Sequence, residues 1–496
     1  MVAGPDATAT LTGGTLQGRP GPVVTSWLGV PYAEPPVGPL RFSPPAPVPA
    51  WSGVRPAVRL GGASAQAGLL GGANRGLGSG VGEDCLYLNV HTPTAALRDG
   101  VPRPVLVWVH GGAFTGGSGG LYNGTPLAEL GDIVVVTVNY RLGVFGFVDL
   151  ASAVDADVAS NLGLRDQIAA LTWVRDNIGE LGGDPEQVTL AGESAGSISV
   201  SLLTCAPSAR GLFRAVIMES GSYSLIHGPE VRQEIARMYA RRLGLGRSDG
   251  HRLWELAAAE LSAAQTAVDR LARGTVAASP WFDDDVVPGS LEAAQAAVRP
   301  DLALLAGHNA DEVSLFQRLP SDIMPTRRRD LVARLRADLG WDQADLVLQH
   351  YPDTPAGTLA LGTDLNFARP TLHFAERHAA AGGETFCYRF DAASPLLGAT
   401  HASELVYLWQ WTGLTAFLLA GRLTGARRDL GARMRRHWVD FVRDGHPGPD
   451  WPPYEVGEAP GSRAVQVFDP AGDRVELDPS AARRPAWAGR DVMPRP

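Results

Sequence analysis

The chain has 496 residues, of which 45% are hydrophobic and 19% charged, a balance typical of globular proteins with a large core. Its 43 basic and 52 acidic residues give a net charge of −9 without a basic stripe, which argues against a nucleic-acid partner. The longest apolar runs, such as residues 133–138, are too short to span a bilayer, and we see no pattern of a signal peptide at the N-terminus.

The cysteines and the acidic runs give no indication of a metal site. Cys85, Cys205 and Cys387 are widely spaced and form no C-x-x-C motif, which argues against structural zinc and favours a reduced, cytoplasmic context. The acidic run at 283–289 lacks the spacing of a calcium loop. We therefore expect no metal and no cofactor.

Strand-like runs alternate with helical patterns along the chain. Near-continuous apolar, β-branched segments at 105–110 and 133–140 predict buried strands. Apolar residues spaced by three and four over 164–178 predict an amphipathic helix. Four further strands are predicted at 188–192, 215–218, 302–306 and 386–390. This alternation predicts an α/β fold with a largely parallel sheet covered by helices.

No repeat and no linker divides the chain. We expect residues 1–496 to form a single domain, with a cap-like helical insertion around 225–280 that is rich in Ala, Leu and Arg. A separate domain in that region is the alternative, although no flexible boundary flanks it.

One serine motif lies where a reactive alcohol would be expected. Residues 192–196 read GESAG, a G-x-S-x-G pattern that follows a predicted strand and precedes small residues suited to a helix start. In such an elbow the small neighbours let strand and helix approach, and the Ala195 N–H becomes available to an oxyanion. Residues 116–120 match the same pattern without a preceding strand at the right distance. The pattern therefore indicates Ser194, and not Ser118, as the nucleophile.

A serine nucleophile needs a base, an orienting acid and an oxyanion hole. The base and acid of this type of elbow follow the serine in the order acid, then histidine, and nine of the eleven histidines lie beyond Ser194. The loop after the strand at 105–109 reads HGGAF, whose small residues let backbone N–H groups approach a substrate carbonyl. This loop is a candidate for the remaining oxyanion donors.

Several longer motifs in order resemble the type-B carboxylesterases, the cholinesterase-like and para-nitrobenzyl-esterase-like branch of the α/β-hydrolase fold. They are WLGVPYAEPPVGPLRF at 27–42, EDCLYLNV at 83–90, NYRLGVFGF at 139–147 and the run from 161 through the GESAG motif. The resemblance covers nearly the whole chain. It implies a large, mostly parallel central sheet with helices on both faces and helical cap insertions.

The resemblance also implies a catalytic triad. Ser194 would be the nucleophile, Glu312 in the Asp311-Glu312 pair would be the acid, and His401 of the HASEL motif would be the base. The oxyanion donors would be the N–H groups of Gly112, Ala113 and Ala195.

Two ion pairs are implied by the same resemblance. They are Arg41 with Glu83 and Arg141 with Asp166. Their expected role is to fix loops and not to take part in the reaction.

Three positions depart from the family pattern. Ser64 stands near the place where many members have a cysteine that pairs with the equivalent of Cys85, so no disulfide is expected there. No tryptophan occurs between 60 and 83, which argues against a choline-binding site. Glu219 replaces a frequent glutamine, and a carboxylate there would raise the pKa of His401 if it lies near the ring. The next residue, Ser220, is either a supporting serine or a turn residue.

Together these features predict a serine carboxylesterase that hydrolyses small-molecule esters through an acyl-enzyme, with activity falling in mild acid as the base becomes protonated. Amide, carbamate or lactone hydrolysis by the same groups is the alternative, and a non-catalytic binding protein on this fold is a second. Phe114 and Trp409 are candidates for the substrate pocket, although core packing explains them equally well. The oligomeric state, monomer or weak homodimer, is left open.

Overall fold

The computed structural model describes residues 7–66, 80–272, 274–318, 323–457 and 462–487. Its strands, numbered in chain order, are β1 Thr8–Leu11, β2 Gly14–Gln17, β3 Val24–Pro31, β4 Val54–Pro56, β5 Ala63–Ser64, β6 Val81–Gly82, β7 Tyr87–Pro93, β8 Arg103–Val109, β9 Val134–Val138, β10 Gly183–Glu193, β11 Ala215–Glu219, β12 Ala303–Asn309, β13 Thr385–Phe390, β14 Ala464–Phe468 and β15 Arg474–Leu477.

The helices lie mainly between the strands of the large sheet. They are α1 Thr94–Asp99, α2 Thr125–Gly131, α3 Leu162–Asn177, α4 Ala195–Cys205, α5 Pro229–Leu243, α6 Ala258–Leu271, α7 Leu291–Ala296, α8 Arg328–Leu339, α9 Trp341–Leu348, α10 Pro355–Thr363, α11 Arg369–Ala380, α12 Leu405–Leu408, α13 Gly413–Ala420, α14 Gly425–Asp444 and α15 Arg484–Trp487.

Ten strands form one large sheet in the order β15-β14-β13-β12-β11-β10-β8-β9-β7-β3. The seven strands from β14 to β9 are parallel to one another, whereas β15 at one edge and β7 and β3 at the other pair antiparallel. The prediction of a largely parallel sheet is thus confirmed. Every predicted strand is present, and the predicted helix at 164–178 is α3.

Helices cover both faces of this sheet. Alternate residues of β8 point to opposite sides, so that Val107 joins a core with α3 and α4, while Trp108 joins a second core with α2 and α14. Because both faces of the central strands are buried, their sequences are continuously apolar and do not alternate. The carboxyl ends of the parallel strands meet at one edge, where the loops that carry the site lie.

The region around 225–280 contains α5 and α6, which pack on each other and contribute side chains to the same core as α3. Arg41 ties this region to the N-terminal segment by donating to the carbonyls of Leu253 and Leu256 at 2.8 and 2.7 Å.

Both expected ion pairs are formed. Arg41 binds Glu83 through two nitrogens at 2.5 and 2.8 Å. Arg141 and Asp166 are buried and form a bidentate pair at 2.7 and 2.8 Å. A buried pair of this kind is stable only when its remaining donors are satisfied, and Arg141 also donates to the Ser43 carbonyl at 2.8 Å.

The three cysteines are buried and unpaired. Ser64 Oγ accepts the Leu142 N–H at 3.0 Å, so the hydroxyl anchors a loop at the position where the family resemblance suggested a cysteine. Across the described ranges, no helix combines the length and the apolar character needed to cross a bilayer.

Candidate active site

Ser194 lies in the sharp turn between β10 and α4. Its φ of 57° and ψ of −121° are strained for a residue with a side chain, and its N–H donates to the Glu219 carbonyl at 2.9 Å. The flanking glycines are required because a Cβ on Gly196 would stand 2.1 Å from the Val109 carbonyl oxygen, and one on Gly192 would stand 2.5 Å from Gly196. The Ser194 side chain remains partly exposed.

The HGGAF loop follows β8 and lies against this serine. A Cβ on Gly111 would stand 3.1 Å from the Ser194 Cβ, so the loop backbone approaches the serine directly. Gly112 and Ala113 both have positive φ, 117° and 54°, and a Cβ on Gly112 would stand 2.1 Å from the carbonyl oxygen of Gly116. The loop thus presents its backbone to the space beside Ser194.

Three N–H groups near Ser194 have no acceptor among the described residues. Those of Gly112, Ala113 and Ala195 donate to no residue in the part of the chain that the structure describes. Ala195 is the first residue of α4, where an N–H has no partner within the helix and the helix dipole favours a negative charge.

His401 is held by Glu312. The two side chains meet at 2.7 Å between the ring Nδ1 and Glu312 Oε2, and Glu312 is fully buried. Glu312 Oε1 accepts the Asn309 N–H at 2.8 Å, which fixes the carboxylate. The neighbouring Asp311 has a different contact, since it accepts the Ala399 N–H at 2.9 Å.

The other ring nitrogen of His401 lies near a second carboxyl group. Nε2 is 3.1 Å from Glu193 Oε1, yet that oxygen accepts no aligned hydrogen bond from the residues described. Glu193 is the residue immediately before Ser194, and its position at the end of β10 places it beside the ring.

Glu219 is the direct neighbour of Glu193. The two are register partners on the adjacent parallel strands β10 and β11, and both are buried. Glu219 Oε1 accepts the Trp438 indole N–H at 2.7 Å, whereas its Oε2 has no partner within the described ranges. The predicted carboxylate at 219 therefore contacts Trp438, and Glu193 is the one in contact with His401.

Glu404 completes a group of four buried glutamates with Glu193, Glu219 and Glu312. It accepts a hydrogen bond from Asn309 Nδ2. Burial raises the pKa of Glu219 to about 8. Burial is also the main reason that the pKa values of Glu193 and Glu404 lie well above their ordinary value, and repulsion from neighbouring glutamates raises these two further.

Two phenylalanines pack on the His401 ring. The centroid of Phe367 lies 4.6 Å from that of the imidazole, and the centroid of Phe316 lies 5.2 Å from it. Phe367 belongs to a π-helical turn, Asp364–Ala368, a rare distortion that occurs often at functional sites.

The two candidate pocket residues are buried among aromatic side chains. Phe114 packs on Phe147 at 4.7 Å, and Trp409 packs on Trp108 at 4.9 Å. Their assignment to the substrate pocket stays a prediction. Ser220 is also buried, with a φ of 53°, and its N–H donates to the Gly307 carbonyl.

Sequence reasoning missed four residues around the imidazole, namely Glu193, Glu404, Phe316 and Phe367. Two of them carried a usable signal. Glu193 adjoins Ser194 in the motif, and Glu404 follows His401 by three residues.

Known proteins resemble this chain over nearly its whole length. Residues 5–466 match the model of the carboxylesterase family. The chain belongs to this family. Among curated proteins, the para-nitrobenzyl esterase of Bacillus subtilis is 34% identical over 485 residues, covering 95% of this chain and 96% of that protein. The cocaine esterase of Oryctolagus cuniculus is 32% identical, covering 88% and 86%.

Solved structures agree with this assignment. A PNB esterase structure superimposes with a TM-score of 0.86 at 34% identity, covering 97% of this chain and 99% of that one. A carboxylesterase of Geobacillus stearothermophilus superimposes with a TM-score of 0.84 at 35% identity, covering 97% and 100%. The predicted family, the α/β-hydrolase fold and the activity of a carboxylic ester hydrolase are confirmed. The sequence of this carboxylesterase was thus sufficient to predict its class of reaction, the hydrolysis of carboxylic esters.

Proposed function

We propose that this carboxylesterase hydrolyses its substrates through Ser194, His401 and Glu312 by way of an acyl-enzyme. His401 Nε2 accepts the Ser194 Oγ proton as the oxygen attacks the ester carbonyl. The C–O bond to the alcohol then breaks, and the protonated His401 returns the proton to the leaving alcohol. Water, activated by the same ring, attacks the acyl-enzyme and releases the carboxylic acid and free Ser194.

The observation that carries this proposal is the 2.7 Å contact between Glu312 Oε2 and His401 Nδ1 in a buried environment. A carboxylate at Nδ1 fixes the tautomer in which Nε2 is the base, and it stabilises the imidazolium. Nε2 lies 3.1 Å from Glu193 Oε1, which has no hydrogen-bond partner in the described ranges, and this is consistent with a nitrogen that accepts the serine proton.

The oxyanion of each tetrahedral intermediate would be bound by the N–H groups of Gly112, Ala113 and Ala195. Three observations support this role. Gly112 and Ala113 have positive φ, the loop approaches Ser194, and the three N–H groups have no acceptor in the described ranges. Removal of one such donor costs about 3 kcal/mol in other hydrolases.

For the substrate, we propose small-molecule carboxylic esters, with p-nitrobenzyl esters as accessible examples. The support is the identity of 34% to a protein named para-nitrobenzyl esterase. Amide, carbamate or lactone hydrolysis remains the second candidate, since leaving-group preference is set by the pocket. A matched pair of substrates that differ only in an ester or amide bond separates the two.

Ser194→Ala tests the nucleophile. We expect the variant to lose hydrolysis of a p-nitrophenyl ester down to the rate of the solution reaction, because no alcohol remains to form the acyl-enzyme. Ser208→Ala, at an exposed position, is the control and should retain full activity. A Ser194→Ala enzyme that still turns over at the wild-type rate would refute the assignment.

We further propose a single domain with a cap insertion around 225–280, since α5 and α6 contribute to the shared core. The three unpaired cysteines support the proposed cytoplasmic location. The oligomeric state stays a prediction of monomer or weak homodimer.

A further inference from the structure

Helix α13 is apolar on both sides. Ala416, Leu419 and Ala420 point inward and are buried. On the outer side, Leu414 and Phe417 are 73% and 46% exposed, and Leu418 is 40% exposed. A helix that is apolar all round is normally covered on every side, so the outer face of α13 lacks the cover that its composition calls for.

A neighbouring loop extends this apolar face. Leu396, which is 53% exposed, lies in a loop whose Ser394 Oγ donates to the Leu418 carbonyl at 3.3 Å. Leu396, Leu414, Phe417 and Leu418 thus form one surface, which we call the α13 patch. Large exposed apolar side chains on one helix face and the adjoining loop are a candidate surface of interaction, whereas scattered single ones need no explanation.

The segment of the chain that contains α13 carries basic residues and no acidic ones. No Asp or Glu occurs between Glu404 and Asp429, although the whole chain carries a net charge of −9. Three arginines lie in this segment. Arg427 is used internally, since it donates to the Tyr407 hydroxyl and the Ala420 carbonyl. Arg422 and Arg428 are exposed and follow α13 in the chain, and Arg428 also donates through Nε to the Leu423 carbonyl at 3.0 Å. We call these two arginines the cationic rim.

We propose that the α13 patch, with Arg422 and Arg428, docks this carboxylesterase on the surface of an anionic lipid membrane. Apolar side chains flanked by arginines match the two layers of such a surface, in which acyl chains lie beneath negative headgroups. The short helix α13 would lie in the plane of the interface, with Leu414 and Phe417 inserted.

A second copy of the chain fits the α13 patch less well than a lipid surface does. Stable protein interfaces engage about 20–30 residues on each side, far more than the four side chains of the α13 patch. A two-fold contact centred on the patch would also bring the arginine rims of the two copies together. A lipid surface needs neither a large area nor a complementary shape.

The α13 patch is attached to the loops of the catalytic site. Ser314, two residues after Glu312, donates through Oγ to the Leu397 carbonyl at 2.5 Å. The loop that carries Leu396 also continues directly to His401. Docking at this surface would therefore place the ester-hydrolysing loops beside the lipid phase, where apolar esters concentrate. This inference rests on the esterase activity of the family and not on the roles assigned to individual triad residues.

The test is co-sedimentation of the full-length enzyme with vesicles of phosphatidylcholine, with and without phosphatidylglycerol. We expect binding to the anionic vesicles that weakens as salt is raised. The double variant Leu414→Ser/Phe417→Ser should bind at least about tenfold less. Arg422→Ala/Arg428→Ala should abolish most of the preference for the anionic vesicles.

The matched control is Leu130→Ser/Leu346→Ser, which removes two exposed leucines elsewhere and should bind like the wild type. All variants should hydrolyse a water-soluble p-nitrophenyl ester within about twofold of the wild-type rate. Equal vesicle binding by the wild type and the Leu414→Ser/Phe417→Ser variant would overturn the proposal. It would also be overturned if sedimentation velocity showed a wild-type dimer that this variant converts to a monomer.

Discussion

Replacing Glu219 by glutamine should make the protein more stable, and increasingly so as the pH rises. In the folded protein, burial raises the pKa of Glu219 to about 8, and the carboxyl lies beside the buried Glu193 with the Trp438 indole as its donor. In the unfolded chain it ionises near its ordinary value of 4.5. Between these values the folded state holds a proton that the unfolded state has lost, so the stability falls with increasing pH by about 1.4 kcal/mol per pH unit.

Glutamine has nearly the shape of the neutral acid and keeps an oxygen for Trp438, but it has no proton to lose. The variant should therefore match the wild type within about 1 kcal/mol at pH 5 and exceed it by about 4 kcal/mol at pH 8. The latter is an upper value, because Glu193 and Glu404 share the buried protons with Glu219. Most substitutions destabilise, so a gain that grows with pH would be a distinctive result.

The assay is urea unfolding followed by tryptophan fluorescence at several values between pH 5 and pH 8, with refolding curves to establish reversibility. Glu186→Gln is the control, since that side chain is exposed and should show no pH-dependent difference from the wild type. A difference between Glu219→Gln and the wild type that stays constant from pH 5 to pH 8 would refute the assigned protonation.

Two further changes test the site itself. Glu312→Gln should lower kcat for a p-nitrophenyl ester by about 10⁴-fold, because the amide favours the wrong imidazole tautomer, and an unchanged kcat would contradict the proposed role. Gly196→Ala should unfold at lower urea than the wild type and lose activity, since its Cβ would stand 2.1 Å from the Val109 carbonyl oxygen. Gly179→Ala is its steric control, because that glycine is exposed, has no positive φ, and a Cβ there meets nothing within 4 Å. A Gly196→Ala protein as stable and active as this control would contradict the tight elbow.

The sheet and the elbow could be predicted because their signals are local. Continuous β-branched runs specify strands buried on both faces, and each of the predicted runs is a strand of the large sheet. The glycines around Ser194 are likewise a local requirement, since the turn leaves no room for a Cβ at Gly192 or Gly196. Patterns of this kind reflect constraints that act over a few residues.

The residues around the imidazole could be predicted only in part. The contact of Glu312 with His401 joins positions 89 residues apart, and the resemblance to known esterases, not the local pattern, indicated it. Phe316 and Phe367 reach the same ring from the loop after β12 and from the π-helical turn. Nothing in an isolated phenylalanine distinguishes a neighbour of the proposed base from an ordinary core residue, because the distinction depends on how distant segments meet.

The buried carboxyls explain how one imidazole can be flanked by several acids. Four glutamates and one histidine cannot all be charged in a site of low dielectric, because repulsion and desolvation would cost several kcal/mol for each unpaired ion. The donors are distributed unequally among them. Glu312 accepts two N–H groups, whereas Glu219 Oε2 and Glu404 Oε1 have no partner in the described ranges. Glu312 is thus the carboxyl group with the most hydrogen-bond donors, and it lies against His401 Nδ1. Burial raises the pKa of each of the other three, which fits the proposal that Glu312 is the acid of the triad.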